Sequence, residues 1–146
     1  MNVPTEADWG NYEDDLDQKQ AHDLFGGRTN HEMLPHFQRN VIERTDELRF
    51  MPEVPFRYYM LGFRDFLIGG EVEPLWVPDA ASCFIGLVLE KLKKRPTHIL
   101  PIMFELLPTL RLIAQDQDLW HAKKEIYGDF KEKLAQIEAL RSSLGG

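Results

Sequence analysis

A chain of 146 residues, 43% hydrophobic and with sixteen rings among its side chains (nine Phe, four Tyr, three Trp), carries enough apolar mass for one domain with its own core. Its formal charge of −7 and pI of 5.2 repel phosphate backbones and argue against a nucleic-acid partner. Cys83 is the single cysteine, which excludes an internal disulfide and a thiolate-rich zinc site.

Residues 1–12 read as an acidic, loosely ordered N-terminal arm, and residues 13–146 as a single helical domain. Residues 1–23 hold seven acids (Glu6, Asp8, Glu13, Asp14, Asp15, Asp17, Asp23) against Lys19 alone, a net −6, so the other 123 residues sum to −1. A helix is predicted from about Asp14 to Phe25, with Ala21, Leu24 and Phe25 on a narrow apolar edge and Gly26-Gly27 as its stop. Thr29 and Glu32 have the spacing of a capping box and start a second helix at Asn30. Met33, Leu34, Phe37 and Val41 form its stripe, and Pro35 predicts a kink. Glu43 to Glu53 reads as a polar connector that folds back.

Pro55 suits the first position of a third, aromatic helix, in which Phe56, Tyr59, Met60, Phe63, Phe66 and Leu67 recur at helical intervals up to Gly69-Gly70. A loop containing Trp76 follows. Pro78-Asp79 opens a fourth helix through Lys94, apolar on so much of its circumference that it reads as central, with Gly86 admitting a close neighbour. Lys91, Lys93, Lys94 and Arg95 offset the dipole at its end. After Pro96 a fifth helix carries Ile99, Ile102, Met103, Leu106, Leu107, Leu110, Ile113 and Ala114, kinked or divided at Pro108. The last runs from about Lys123 to Leu144, with Gly128 as a soft spot. No segment alternates with the period of a strand. The expected fold is therefore all-α: a single-domain bundle of five or six helices in orthogonal or antiparallel packing.

Phe25-Gly26-Gly27-Arg28, Leu48-Arg49-Phe50-Met51 and Phe56-Arg57-Tyr58-Tyr59-Met60 together form a pattern F-x-G-R, L-x-F-M, F-R-Y-Y-M. It resembles a family of uncharacterised bacterial proteins, a domain of unknown function, over about residues 20–68. Met51-Pro52-Glu53-Val54-Pro55 stands where that pattern has a shorter proline turn. The resemblance implies a bacterial, intracellular protein and assigns no catalytic residue.

Motifs for chemistry are sparse. His31 and His36 are five apart with Pro35 between them, whereas two histidines on one zinc from one helix face need a spacing of four. Arg57, Arg64 and Asp65 suit ion pairs on a helix rim. Asp116, Asp118 and Glu125 around Trp120-His121 lack the glycine turn of a calcium loop and suit a solvated connection. There is no Gly-rich phosphate loop and no G-x-S-x-G elbow. No catalytic residue, metal or cofactor is assigned. No basic run followed by an apolar stretch opens the sequence, so the expected location is the cytoplasm. Ile99 to Ala114, interrupted by Glu105, Arg111 and two prolines, reads as core, where a membrane span needs about 20 apolar residues.

The lopsided charge leads to the expectation of a non-enzymatic protein-interaction module, an immunity- or antitoxin-like binder of a basic partner protein. Its binding residues would be Asp14, Asp15 and Asp17 with the exposed rings of Trp9, Tyr12 and Trp76. The alternative is an enzyme or small-ligand-binding protein with a pocket between the aromatic helix (55–68) and the central helix (79–94), where Arg57, Tyr58, Tyr59 and His98 supply the polar groups. A homodimer through the final helix is a third expectation.

Overall fold

The computed structural model describes residues 1–145 and is all-α: 79% of it is helical and no strand occurs among the described residues. The α-helices are α1 (Leu16–Phe25), α2 (Asn30–Arg39), α3 (Val41–Arg49), α4 (Glu53–Ile68), α5 (Val77–Lys94), α6 (Pro96–Ile99), α7 (Met103–Gln115), α8 (Lys124–Tyr127) and α9 (Phe130–Ser143). Short 3-10 turns join several of them.

Nine segments stand where five or six were expected, and each extra break has a local cause. The stretch read as a polar connector is α3. Asn40 leaves the helical region (φ −164°), which ends α2, and its side chain accepts the Glu43 N–H at 3.0 Å, which starts α3. Val41 therefore belongs to α3, not to α2. The fifth predicted helix is interrupted by the 3-10 turn Leu100–Ile102 around Pro101, whereas Pro108 stays inside α7. Gly128, at φ +80°, separates α8 from α9, a conformation that favours glycine.

Pro35 does not end α2, whose capping box forms in both directions between Thr29 and Glu32. Rings fill the space between α1, α2, α4 and α5. Phe25 packs edge-on to Tyr59 (4.8 Å between centroids), Phe37 stacks on Phe63 (5.1 Å), and Phe63 meets Phe84 of α5 edge-on at 5.3 Å. Beyond α5 the core is largely aliphatic, built by Leu106, Leu110 and Ile113 of α7 with Ile137 of α9, and takes in the ring of Phe130. The close approach expected at Gly86 occurs at Gly62 instead. A Cβ there would run into the Asn30 side chain, whose amide donates to the Tyr58 carbonyl at 2.9 Å, while open space surrounds Gly86.

The arm is not loose. Thr5 and Asp8 form a capping box around the 3-10 turn Glu6–Trp9, and Trp9 is 1% exposed with its indole 6.2 Å from the Tyr59 ring. Pro96–Gln115 is long and apolar enough to cross a membrane by composition, but half of it is buried in the fold and the turn at Pro101 breaks it.

Candidate functional site

One polar link ties α1 to α3, and an ion pair within α3 holds its acid in place. The Arg44 guanidinium holds Glu47 through Nε–Oε1 at 2.6 Å and Nη2–Oε2 at 3.2 Å, both side chains being buried. Gln20 of α1 donates to the same carboxylate at 3.1 Å. With its charge matched by Arg44, Glu47 is an affordable buried acid.

Along this seam runs a groove of three adjoining hollows. The middle one, about 300 Å³, is lined by Asp17 and Gln20 of α1 and by Asp46, Glu47, Arg49 and the following Phe50. Through Gln20 and Glu47 it opens onto a shallow, solvent-open depression of about 680 Å³ beside Leu16, Lys19 and Asp23. Through Arg49 and Phe50 it continues into one of about 310 Å³ that reaches Glu90, Lys91, Lys94 and Arg95 of the α5 end. Leu16 is 85% exposed and Phe50 41%, so apolar groups stand on the walls of a charged channel. Its sign changes along its length, acidic beside α1 and basic at the end of α5.

The charges differ in how freely they face water. Asp17 has no hydrogen-bond or ion-pair partner for its carboxylate among the described residues. Arg49 is shared between Asp46 and Glu90, the latter at 2.8 Å. Lys91 is not the solvated dipole partner expected of it. Burial depresses its pKa to about 8, its ammonium donates to the Arg49 carbonyl at 2.8 Å, and it lies 4.7 Å above the Phe56 ring. It closes the C-terminal end of α3 from across the interface.

His22 pins the arm at the other end of the groove. Its Nε2 meets Glu6 at 2.9 Å and its Nδ1 meets Asp23 at 3.2 Å, while the Tyr12 ring stacks on it at 3.7 Å and donates to Glu6 at 2.6 Å. Burial works against the imidazolium, but the hydrogen bonds to Glu6 and Asp23 outweigh it and hold its pKa above the ordinary value. The bond to Glu6 pushes the Tyr12 phenol up to about 12.

Of the residues expected to meet a partner, Asp17 lines the middle hollow and Asp15 the hollow toward α5. Asp15 is also the N-cap of α1, accepting from the Asp17 and Gln18 amides, and Asp14 accepts from the Asn11 amide. Trp9 corrects the expectation of an exposed ring: an indole needs more apolar cover than the arm offers, and the gap beside Tyr59 provides it. Tyr12 is half-buried by its stack on His22, and Trp76 is half-buried against the core at the start of α5.

The residues of the alternative pocket do not converge. Arg57 staples α4 to α6, donating to the His98 carbonyl at 3.1 Å and the Thr97 carbonyl at 2.6 Å. Tyr58 faces α2, its hydroxyl accepting from the Asn30 N–H. Tyr59 is buried and donates to the carbonyls of Phe25 and Arg28, each at 2.7 Å. His98 Nδ1 is buried without a partner, and burial lowers the ring's pKa. Phe63 and Phe84 fill the space between α4 and α5. A hollow of about 320 Å³ opens instead between α2 and the end of α4, beside Leu34, Pro35 and Phe66. Among the described residues no three histidine, cysteine or carboxylate side chains gather as a metal-ligand set.

Sequence reasoning found one wall of the groove and missed the other, Asp46 to Phe50. The signal was present in Asn40-x-x-Glu43, an N-cap followed three residues later by an acid. Compared with family models, with curated proteins and with solved structures, the chain matches none.

Proposed function

We propose that the protein is a non-enzymatic interaction module that seats a basic segment of another protein in the groove between α1 and α3. The observation that carries this reading is the juxtaposition of unpaired carboxylate, exposed apolar side chain and open volume along one seam: Asp17 beside Leu16 and Phe50 over the hollow of about 300 Å³ and the depression of about 680 Å³. Charge steers a basic partner toward this face, and desolvated contacts with Leu16 and Phe50 supply the affinity that charge alone lacks. An immunity- or antitoxin-like role, neutralising a basic effector, fits such a surface. The resemblance over residues 20–68 to bacterial proteins is compatible with it.

The test is capture of partners from the native cell by the wild-type protein and by Asp17→Lys/Asp46→Lys, at low and high salt. Asp15 is left intact because it caps α1. A basic partner should be retained by the wild type, weakened by salt and lost with the charge reversal. Recovery of no partner, or of partners indifferent to the reversal, rejects the reading.

A further inference from the structure

The α1–α3 groove does not keep one character to its end. Its middle hollow is walled by two helices, α1 and α3. The hollow of about 310 Å³ is walled by three: Asp15 and Gln18 start α1, Arg49 and Phe50 stand at the end of α3, and Lys94 and Arg95 at the end of α5. Both hollows include Arg49 and Phe50, so one segment of chain can pass from the first into the second.

Most of the charge on these walls is already matched. Glu47 is held by Arg44, Arg49 is shared between Asp46 and Glu90, and Asp15 accepts two amides as the N-cap of α1. Lys91 is buried and donates to the Arg49 carbonyl. Asp17 is left free in the middle hollow, and Lys94 and Arg95 in the three-walled one. Both of these cations are exposed, and neither side chain makes a hydrogen bond or ion pair among the described residues. The helix dipole does not explain why they face the hollow, since Lys93, exposed on the same turn and outside it, serves the α5 C-terminus equally.

Resting on the reading of this groove as the seat of a basic segment, we propose that the segment is the C-terminal tail of its protein. Its basic side chain lies against Asp17, an apolar side chain near the end packs on Phe50, and the terminal carboxylate meets Lys94 and Arg95. Two unmatched positive charges call for an anion. Three walls suit a chain end, which has no following residue to place, whereas an acidic side chain in mid-segment would oblige the backbone to turn back out. A doubly charged phosphate group would press against the Asp15 and Glu90 carboxylates on the same walls.

Fluorescence anisotropy reads the outcome, with a labelled glycine–serine peptide ending in lysine, lysine, serine and leucine, as the free acid and as the C-terminal amide. The wild type should bind the acid roughly tenfold or more tightly than the amide. Lys94→Glu/Arg95→Glu should erase that preference, and Lys93→Glu should keep it. All the substituted residues are exposed, so helical circular dichroism should not change. Acid and amide bound alike, and both lost in Asp17→Lys/Asp46→Lys, overturns the inference and leaves the groove reading standing. A preference for the acid that survives that reversal but is lost in Lys94→Glu/Arg95→Glu keeps the carboxylate site and rejects the groove reading. A preference that Lys93→Glu removes as well reduces the effect to overall charge and overturns the inference. An amide extended by one aspartate that binds as tightly as the acid assigns the hollow to side-chain carboxylates and equally overturns it. Binding of neither peptide up to about 1 mM rejects both readings.

Discussion

The N-terminal arm and the final helix α9 are fastened to the same core by the same two devices, one ring and one polar hub. The arm inserts Trp9, 1% exposed, and is held by His22, which reaches Glu6 and Asp23. α9 inserts Phe130, fully buried, and is held by Gln117, which donates to the carbonyls of Ala122 (2.7 Å) and Gly128 (2.8 Å) and accepts the Phe130 N–H at 2.9 Å. The hubs differ in kind. His22 is an ionisable group with two largely exposed carboxylate partners, whereas Gln117 is neutral, buried and bonded to backbone. One fastening therefore responds to proton concentration and the other does not.

The rings should carry the largest effects. Trp9→Ala and Phe130→Ala should each cost about 3–5 kcal/mol in urea unfolding, since both vacate sites that close incompletely. A loss below about 1 kcal/mol for Trp9→Ala would mean that the arm contributes nothing to the fold. Trp9→Phe sharpens the comparison: the indole N–H is buried without an acceptor, so removing it offsets part of the lost volume, and the cost should stay below about 1.5 kcal/mol. Next comes the neutral hub. Gln117→Ala strands two carbonyls and one N–H in a buried place and should cost about 2–3 kcal/mol at every pH where the protein is folded.

These fastenings were unequally legible in the sequence. The ring positions of α4 follow a helical period, so the aromatic core was readable from Phe56, Tyr59, Phe63 and Phe66. Trp9 belongs to no period, so it reads as an exposed ring of the arm, and its burial went unseen. α3 escaped because Arg44, Thr45 and Glu47 are buried yet polar, each satisfied by hydrogen bonds that hydropathy does not register. The groove's α1 wall was visible as a run of acids, but its α3 wall was hidden by the same buried polar residues. Gln117 looked like part of a solvated turn because its three backbone partners lie up to thirteen residues away.

Smaller effects come from the helix caps that flank each fastening. Asp15 accepts from the Asp17 and Gln18 amides at 3.0 and 3.2 Å, and Asp129 accepts from the Lys131 and Glu132 amides at 2.9 and 3.5 Å. Alanine at either position should cost about 1 kcal/mol by urea unfolding. A markedly larger loss at Asp15 would show that α1 and the arm unfold together, since α9 has no comparable dependent segment.

The pH response is the smallest effect and the one that separates the two hubs. The His22 pKa is raised in the folded protein, so its contribution is complete below the ordinary value of 6.5 and is lost as pH climbs through the raised value. Glu6 is lowered by the hydrogen bonds from Tyr12 and His22, and Asp23 by those from Lys19 and His22, so their contributions are present above the ordinary carboxylate range and lost on acidification. The Tyr12 phenol, held up to about 12, stays a donor throughout. The arm is therefore fastened best between these limits and loosens toward mild alkali. With Trp76 and Trp120 replaced by Phe, Trp9 fluorescence reports on the arm alone, and it should shift to the red as pH rises past 6.5 through the raised His22 value while helical circular dichroism stays constant. His22→Gln should flatten that shift, because a neutral amide keeps hydrogen bonds without titrating. The same shift in His22→Gln would remove His22 as its source, and a parallel loss of helix would show that the two fastenings are not independent.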